Sequence, residues 1–221
     1  MKINIVPYQH FSFDLWLTLI RSNPCYKRKK SALFKEYFSI NAPIANVEQL
    51  LRDYDVLSNS ISEKKGLHMS RDQIYYQVLS RLNINLKTIS EACLQEFYRL
   101  CDDLFMKFKP VLIDPDIHLL FNKITAKGKT INILSNTAFV HGSILRNVLA
   151  YYELSDFFAF QFYSDETGYT KPNRKAFELV FDTANAIKKV ERSEIVHIGD
   201  NETADIEGAA AAGFQSILIK N

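Results

Sequence analysis

Several apolar stretches of the chain end in residues that can bind a phosphate or a metal ion. In chain order these residues are Asp14, Ser135, Asn136, Ser164, Asp165 and Asp200. Carboxylates act as nucleophiles and as ligands of hard cations, and hydroxyl and amide groups donate hydrogen bonds to phosphate oxygens. If the stretches are parallel strands, their carboxyl ends meet at one sheet edge, where α/β proteins bind ligands. The sequence therefore predicts one polar site at that edge.

From Pro110 onward, the pattern predicts strands that alternate with helices. The expected strands are "TINILSN", "FFAFQFYS", "SEIVHIGD" and "QSILIK"; the expected helices are "PDIHLLFNKITAKGK", "AFVHGSILRNVLAYYEL", "NRKAFELVFDTANAI" and "ETADIEGAAAAG". Pro115 suits the first turn of a helix and Gly128 its end. Such alternation favours right-handed crossovers and a parallel sheet, for which "HFSFDL" supplies the first strand.

Residues 25 to 108 have only helical periodicity, with apolar residues three and four positions apart. Ser70, followed by Asp72 and Gln73, is a plausible helix start. This block of about four helices separates the first strand from the others. The fold class predicted is α/β: a Rossmann-like parallel sheet core of residues 1–20 plus 110–221, with an inserted all-helical cap domain of residues 21–109.

The composition is that of an ordinary globular protein, with 47% hydrophobic and 24% charged residues. A formal net charge of +2 gives no sign of a nucleic-acid face, and the run "YKRKK" is interpreted as solvated residues opening a helix. Three irregularly spaced cysteines predict neither a disulfide framework nor a zinc site. With no bilayer-length apolar run and no signal-peptide pattern, we expect a cytoplasmic protein with no membrane partner.

Four motifs in order resemble those of the haloacid dehalogenase superfamily, whose members are mostly phosphohydrolases. They are "DLWLT", "LSNT", the lysine of "GYTKP", and "IGDNETADIEGAAAAG". The helical block stands where that family inserts a helical cap, which closes over the site and selects the substrate. The resemblance implies a hydrolase acting on a small phosphorylated metabolite; the sequence carries no signal for an oligomeric state.

The resemblance also implies the catalytic roles. Asp14 would attack phosphorus to form an aspartyl-phosphate that water then hydrolyses. Lys171 would supply a cation beside the anionic centre, and Ser135 and Asn136 would bind phosphate oxygens. Thr18 would brace the nucleophile loop and contribute to the phosphate site. The catalytic residues expected are thus Asp14, Lys171 and Ser135.

A Mg²⁺ ion is the cofactor that the resemblance implies. Its ligands would be Asp14, Asp200 and the backbone carbonyl of Trp16, and Asp205 would bind metal-bound water or orient Lys171. A hard cation of this kind relieves the repulsion between neighbouring carboxylates and neutralises the phosphate.

Trp16 stands where the family's phosphatases carry a second aspartate, the general acid and base. General acid–base assistance is typically worth about 10²–10⁴ in rate, so its absence handicaps the hydrolysis of alkyl phosphates. Three alternatives follow: a phosphohydrolase whose acid comes from the cap or whose substrate needs none, a 2-haloacid dehalogenase, or a phosphate- or metabolite-binding protein with little turnover. The ring itself either packs under the cap or stacks on a substrate.

Three histidines are interpreted as structural. His10 and His197 fall in expected strands and His141 early in an expected helix, and none has a Cys or His partner at ligand spacing.

Overall fold

The computed structural model describes residues 3–220 and is built around a parallel β-sheet. In chain order the strands are β1 (His10–Phe13), β2 (Ile20–Arg21), β3 (Val111–Leu112), β4 (Thr130–Ser135), β5 (Phe158–Tyr163), β6 (Ile195–Gly199) and β7 (Gln215–Leu218). The main sheet has the order β5-β4-β1-β6-β7, with parallel pairing throughout. The predicted α/β fold class with a Rossmann-like parallel sheet is confirmed. The first strand lies at its centre, with β4 and β6 on either side.

Helices pack on the sheet and fill the chain between β2 and β3. They are α1 (Pro24–Tyr37), α2 (Ile44–Lys65), α3 (Arg71–Arg81), α4 (Glu91–Lys107), α5 (Ile117–Thr125), α6 (Gly142–Tyr151), α7 (Ser164–Thr167), α8 (Arg174–Ile187) and α9 (Gly208–Ala211). A π-helical turn, Glu202–Glu207, precedes α9. No helix within residues 3–220 has the length and apolar character needed to cross a membrane.

Helix ends follow the expected capping chemistry. Ser70 caps α3 in a capping box with Gln73, as the sequence predicts. Asn23 caps α1, which has a proline at its first position. Gly66 ends α2 in the left-handed conformation, with φ 64°, which a residue without a side chain adopts without strain.

Three hydrophobic clusters divide the interior. One joins the sheet to α5 and α6 through residues such as Phe13 and Phe121, and another joins it to α8 and α9 around Phe177. The third lies among α1 to α4, where Phe34 and Phe97 are fully buried. The inserted helices therefore have a core of their own, and the predicted boundaries at residues 20/21 and 109/110 stay a prediction. Near both points β2 and β3 pair antiparallel, so the chain leaves and re-enters side by side.

Two helices begin later than the sequence suggests. Helix α6 begins at Gly142, because the preceding segment runs over the site and inserts Phe139 into the cluster of α1 to α4. Helix α5 begins at Ile117 with Asp116 at its N-cap, so Pro115 lies just before the first turn.

Candidate active site

The carboxyl end of β1 places Asp14 at the middle of the sheet edge. Its backbone N–H donates to the carbonyl of Ile198 in β6, at 2.8 Å. The chain then turns tightly, with Leu17 at φ 57° and its N–H 2.7 Å from the carbonyl of Ile20. This turn fixes the position of the Asp14 carboxylate, which is 6% exposed.

Lys171 links two carboxylates at the centre of the site. Its Nζ donates to Asp14 Oδ1 and to Asp205 Oδ1, each at 2.6 Å. Burial favours the neutral amine, but the two carboxylates outweigh it and raise the pKa of Lys171. Burial also raises the pKa of Asp14 to about 7, although Lys171 opposes that rise. A cation bound at Asp14 would favour its ionised form further.

Asp205 is held by hydrogen bonds on both oxygens. His197 Nε2 lies 3.1 Å from Oδ1, and the Asn201 backbone N–H donates to Oδ2 at 3.0 Å. Burial opposes its ionisation, but Lys171 and His197 hold the pKa of Asp205 below its usual range. A Cβ at Gly199 would lie 2.1 Å from Asp205 Oδ2, so this close packing requires glycine there. Of the two roles expected for Asp205, these contacts match the orientation of Lys171.

The side-chain amide of Asn136 forms hydrogen bonds with the backbone of Lys171. Its Oδ1 accepts from the Lys171 N–H at 2.8 Å, and its Nδ2 donates to the Lys171 carbonyl at 2.9 Å. This pair of hydrogen bonds ties the end of β4 to the lysine segment and so positions the ammonium group.

Ser135 and Thr18 are buried at this edge, but neither side chain lines the cavity described below. The Ser135 hydroxyl donates to the carbonyl of Asn136 at 3.2 Å. The Thr18 hydroxyl has no hydrogen-bond partner within residues 3–220, so the expected bracing through this hydroxyl is not seen there. The roles of Ser135 in catalysis and of both residues in phosphate binding stay predictions.

A network after β4 lies next to the site. Thr137 Oγ1 donates to Asp165 Oδ1 at 2.8 Å, and the Thr137 N–H donates to Ser164 Oγ at 2.8 Å. Asp165 also accepts from the N–H of Gly142, at the start of α6. Ser164 and Asp165, which follow β5, therefore fix the loop after β4. Thr137, the last residue of the "LSNT" motif, is a site residue to which the sequence analysis gave no role.

Three carboxylates could hold a metal ion. Oxygens of Asp14, Asp200 and Asp205 all lie within 4.8 Å of one another, a donor set suited to a hard cation such as Mg²⁺. Burial and the neighbouring Asp205 raise the pKa of Asp200, a repulsion that a cation would relieve. Since both Asp205 oxygens already accept hydrogen bonds, Asp14 and Asp200 are the better-placed ligands.

A cavity of about 590 Å³ opens above these groups. We call Asp14, Lys171, Asp200 and Asp205 its floor, and the side chains of α1 and α2 that line it its roof. Trp16 lies at the side, half-buried, with its ring centroid 6.2 Å from that of Phe105 in α4. The ring thus packs against a cap helix while part of it faces the cavity.

The end of α2 and the residues just after it contact the core beside the floor. The sequence analysis did not predict these contacts. Glu63 Oε1 accepts from Asn201 Nδ2 at 2.7 Å. The Gly66 carbonyl accepts from Asn173 Nδ2 at 3.0 Å, and His68 Nδ1 lies 3.1 Å from Ser164 Oγ. Helical periodicity cannot show these contacts, because they join residues 96 to 138 positions apart.

The family model for haloacid dehalogenase-like hydrolases matches residues 8–213. The chain belongs to this family. A curated relative, the pyrimidine 5'-nucleotidase YjjG of Escherichia coli (strain K12), is 28% identical over 211 residues, which are 95% of this chain and 80% of the relative. The family predicted from the four sequence motifs is therefore confirmed.

Solved structures agree in fold. The putative HAD-hydrolase YfnB of Bacillus subtilis, bound to magnesium, has a TM-score of 0.62 at 23% identity, covering 96% of this chain and 86% of that one. A HAD phosphatase from Thermococcus onnurineus has a TM-score of 0.67 at 16% identity, with the same coverage. The 2-haloacid dehalogenase of Pseudomonas syringae has a TM-score of 0.57 at 21% identity, again with the same coverage. Phosphatases and dehalogenases thus share this fold.

Proposed function

We propose that the protein is a Mg²⁺-dependent phosphohydrolase that transfers the phosphoryl group of a small phosphorylated metabolite to Asp14 and then to water. The observation that carries this is the floor: a buried Asp14 paired with Lys171, with Asp200 within metal-sharing distance. The YfnB neighbour bound to magnesium and the nucleotidase relative support it.

The residues of the floor have separate tasks in this proposal. An Asp14 carboxylate oxygen attacks phosphorus, and the bond from phosphorus to the leaving oxygen breaks. Because Trp16 has no acidic group, the leaving oxygen takes its proton from water and departs as the alcohol. Lys171 holds its charge next to the attacking carboxylate and stabilises negative charge on the phosphoryl oxygens. Water then attacks the aspartyl-phosphate and frees inorganic phosphate. Asp14 and Asp200 would hold a Mg²⁺ ion, which would supply neutralising charge for the phosphate.

Trp16 sets the limit on this chemistry. It supplies no carboxyl group at the position from which the family's phosphatases protonate the leaving oxygen. The leaving groups of acyl and aryl phosphates need less protonation than those of alkyl phosphates. We therefore expect the absence of aspartate at position 16 to slow the hydrolysis of alkyl phosphates more than that of acyl and aryl phosphates.

The substrate is proposed to be a small phosphomonoester and neither a nucleic acid nor a membrane lipid. A nucleoside monophosphate fits a cavity of about 590 Å³, and the relative at 28% identity is named as a pyrimidine 5'-nucleotidase. We also propose a cytoplasmic location, because Cys25, Cys93 and Cys101 are free thiols.

A second candidate is a 2-haloacid dehalogenase, which the aromatic residue at position 16 favours. Halide leaves without a proton, so this reaction needs no general acid at that position. Dehalogenases of the same fold are among the structural neighbours. The floor favours the phosphohydrolase, because a dehalogenase has no use for the second carboxylate of Asp200.

The deciding experiment is an activity panel on purified protein. Acetyl phosphate, p-nitrophenyl phosphate, sugar phosphates, uridine 5'-monophosphate and 2-chloropropionate are each incubated with Mg²⁺ or EDTA, beside an Asp14→Asn control. The proposal requires phosphate release that depends on both Mg²⁺ and Asp14. Chloride release that survives EDTA would assign the protein to the dehalogenases, and equal results for wild type and Asp14→Asn on every compound would favour a binding protein.

Trp16→Asp tests the missing acid directly. If Trp16 replaces a lost general acid, the variant gains turnover on alkyl phosphates, by up to about 10²-fold. Trp16→Phe is the matched control, because it keeps an aromatic ring beside Phe105 and supplies no carboxyl group.

A further inference from the structure

Lys30 is a buried lysine in the roof of the cavity. It belongs to the basic run at the start of α1, but its neighbours Lys27, Arg28 and Lys29 are exposed while Lys30 is only 7% exposed. The interpretation of the run as solvated is therefore wrong for its two ends, Tyr26 and Lys30.

The ammonium group of Lys30 rests on an aromatic ring. Its Nζ lies 3.6 Å from the centroid of Phe139, in the loop that follows β4. Within residues 3–220, Lys30 forms no hydrogen bond and no ion pair, so its ammonium group contacts the Phe139 ring in place of a polar partner. A cation over a ring gains about 0.5–2 kcal/mol, well below what removing an ammonium group from water costs.

The charged groups that face Lys30 do not form an ion pair with it. Asp55 in α2 favours the ammonium form and opposes the lowering of the Lys30 pKa, but its ion pair is with Lys27, at 3.5 Å. Burial raises the pKa of Cys101 in α4 to about 11, so its thiol is uncharged at neutral pH. Arg71 in α3 carries the same sign as Lys30. Burial accordingly lowers the pKa of Lys30 to about 8, which leaves it mostly protonated at pH 7.

Lys30 and the floor share one cavity. Asp14, Lys171 and Lys30 all line it, and Phe139 connects the two sides, because it follows the β4 loop and packs on Tyr75 of α3 at 5.0 Å. The shared cavity therefore leaves room for a ligand whose phosphoryl group meets Asp14 to extend its leaving group toward α1.

We propose that Lys30 forms an anion-binding subsite in the roof, which receives a second oxyanion, a carboxylate or a second phosphate, on the leaving group of the substrate. This rests on the proposed phosphohydrolase function, because it assumes that the phosphoryl group lies on the floor. The oxyanion supplies the ion-pair partner that the described residues, 3–220, do not place against this ammonium group.

Binding to an inactive protein tests the subsite without turnover. Asp14→Asn protein with Mg²⁺ is titrated by calorimetry with two matched pairs: 3-phosphoglycerate against glycerol 3-phosphate, and fructose 1,6-bisphosphate against fructose 6-phosphate. The first pair tests a carboxylate and the second a further phosphate. We expect the member with the extra charge to bind more tightly in at least one pair.

Lys30→Met in the same background removes the charge and keeps the length of the side chain. We expect it to weaken binding of the favoured ligand with the extra charge by about 10- to 100-fold, the range for a charged hydrogen bond. The Kd of the matched ligand without that extra charge should stay within about twofold. Lys30→Arg should restore most of the preference. Lys29→Met removes the same charge at an exposed neighbour and should change neither ligand.

Two results would overturn the subsite. One is an equal loss for both members of each pair in Lys30→Met, and the other is no preference for either charged ligand in the Lys30 protein, including no binding at all. Because the titration needs no catalysis, an inactive wild type in the activity panel would contradict the phosphohydrolase proposal separately.

Discussion

Lys171 and Lys30 are both buried lysines that line one cavity, the first in its floor and the second in its roof, yet their surroundings differ. Lys171 donates to two carboxylates at 2.6 Å, whereas Lys30 contacts the ring of Phe139 and no carboxylate within residues 3–220. The pKa of Lys171 is raised as a result, and that of Lys30 is lowered to about 8. The paired charge of Lys171 stabilises a fixed geometry for the reaction. The charge of Lys30 has no ion-pair partner within residues 3–220 and so favours a ligand that provides one.

The largest effect should come from breaking the paired lysine. Lys171→Met leaves Asp14 and Asp205 buried without their shared cation, and losing one partner of a buried ion pair costs about 3–5 kcal/mol. We expect that loss in the free energy of unfolding, measured by urea denaturation. Phosphatase activity should fall by at least about 10²-fold, because the cation next to the nucleophile is gone.

Lys189→Met is the control for Lys171→Met, since Lys189 is exposed just after the end of α8 and does not line the cavity. It should leave stability within about 0.5 kcal/mol and activity unchanged. If Lys171→Met were as stable and as active as Lys189→Met, the description of the floor as a tightly paired network would be wrong.

The floor was largely predictable from the sequence. Asp14 and Asp200 each directly follow an apolar strand, and parallel strands bring their carboxyl ends to one edge. Lys171 was found only because "TKP" falls in the right interval of a family pattern. His197 was missed as a partner of Asp205, because a histidine inside a strand has the same local pattern whether or not it reaches the site.

The roof was much less predictable, although one signal for Lys30 is present in the sequence. Tyr26, Lys30 and Phe34 are spaced four residues apart, so they share one face of α1, and both aromatic residues are buried. A lysine on an apolar stripe is expected to be buried. What it faces depends on the packing of Phe139, more than a hundred residues later, and no local pattern carries that information.

Burial of a histidine should lower its pKa, and His10 tests this expectation outside the cavity. His10 is fully buried in β1, and burial lowers its pKa from 6.5 to about 4. Between these values the unfolded chain binds more protons than the folded protein, so this group makes stability fall as pH falls from 6.5 to 4. The shift corresponds to about 3 kcal/mol at its full extent.

The measurement compares urea denaturation of wild type and His10→Gln at half-unit steps from pH 4 to 7. Asp14 titrates in the same range with the opposite sign, because its pKa is raised, and the difference between the two proteins removes that contribution. The stability of wild type relative to His10→Gln should rise by about 3 kcal/mol across this range. A constant difference would mean that burial at this position does not hold histidine neutral.

The junction of roof and core should be more sensitive to added bulk than other left-handed turns. A Cβ at Gly66 would lie 2.6 Å from Asn173 Cβ, and φ there is 64°. Gly168 has a similar φ of 76°, but a Cβ there would meet nothing within 4 Å. Gly66→Ala should therefore cost about 2–3 kcal/mol of stability and Gly168→Ala about 1 kcal/mol, both measured by urea denaturation. Equal losses would mean that the contact between α2 and Asn173 yields without cost.

The smallest effect should come from Glu63, which joins the roof to the residue after Asp200. Its carboxylate accepts from Asn201 Nδ2 at 2.7 Å, and Glu63→Gln keeps an acceptor oxygen but removes the charge. Since a charged hydrogen bond exceeds a neutral one by about 1 kcal/mol, we expect KM for a phosphomonoester to rise by up to about fivefold with kcat little changed. Glu48→Gln, which removes a charge from the same cavity wall without such a contact, should leave KM within twofold. A fall in kcat with unchanged KM would instead indicate that Glu63 acts on the reaction and not on the position of α2 against the core.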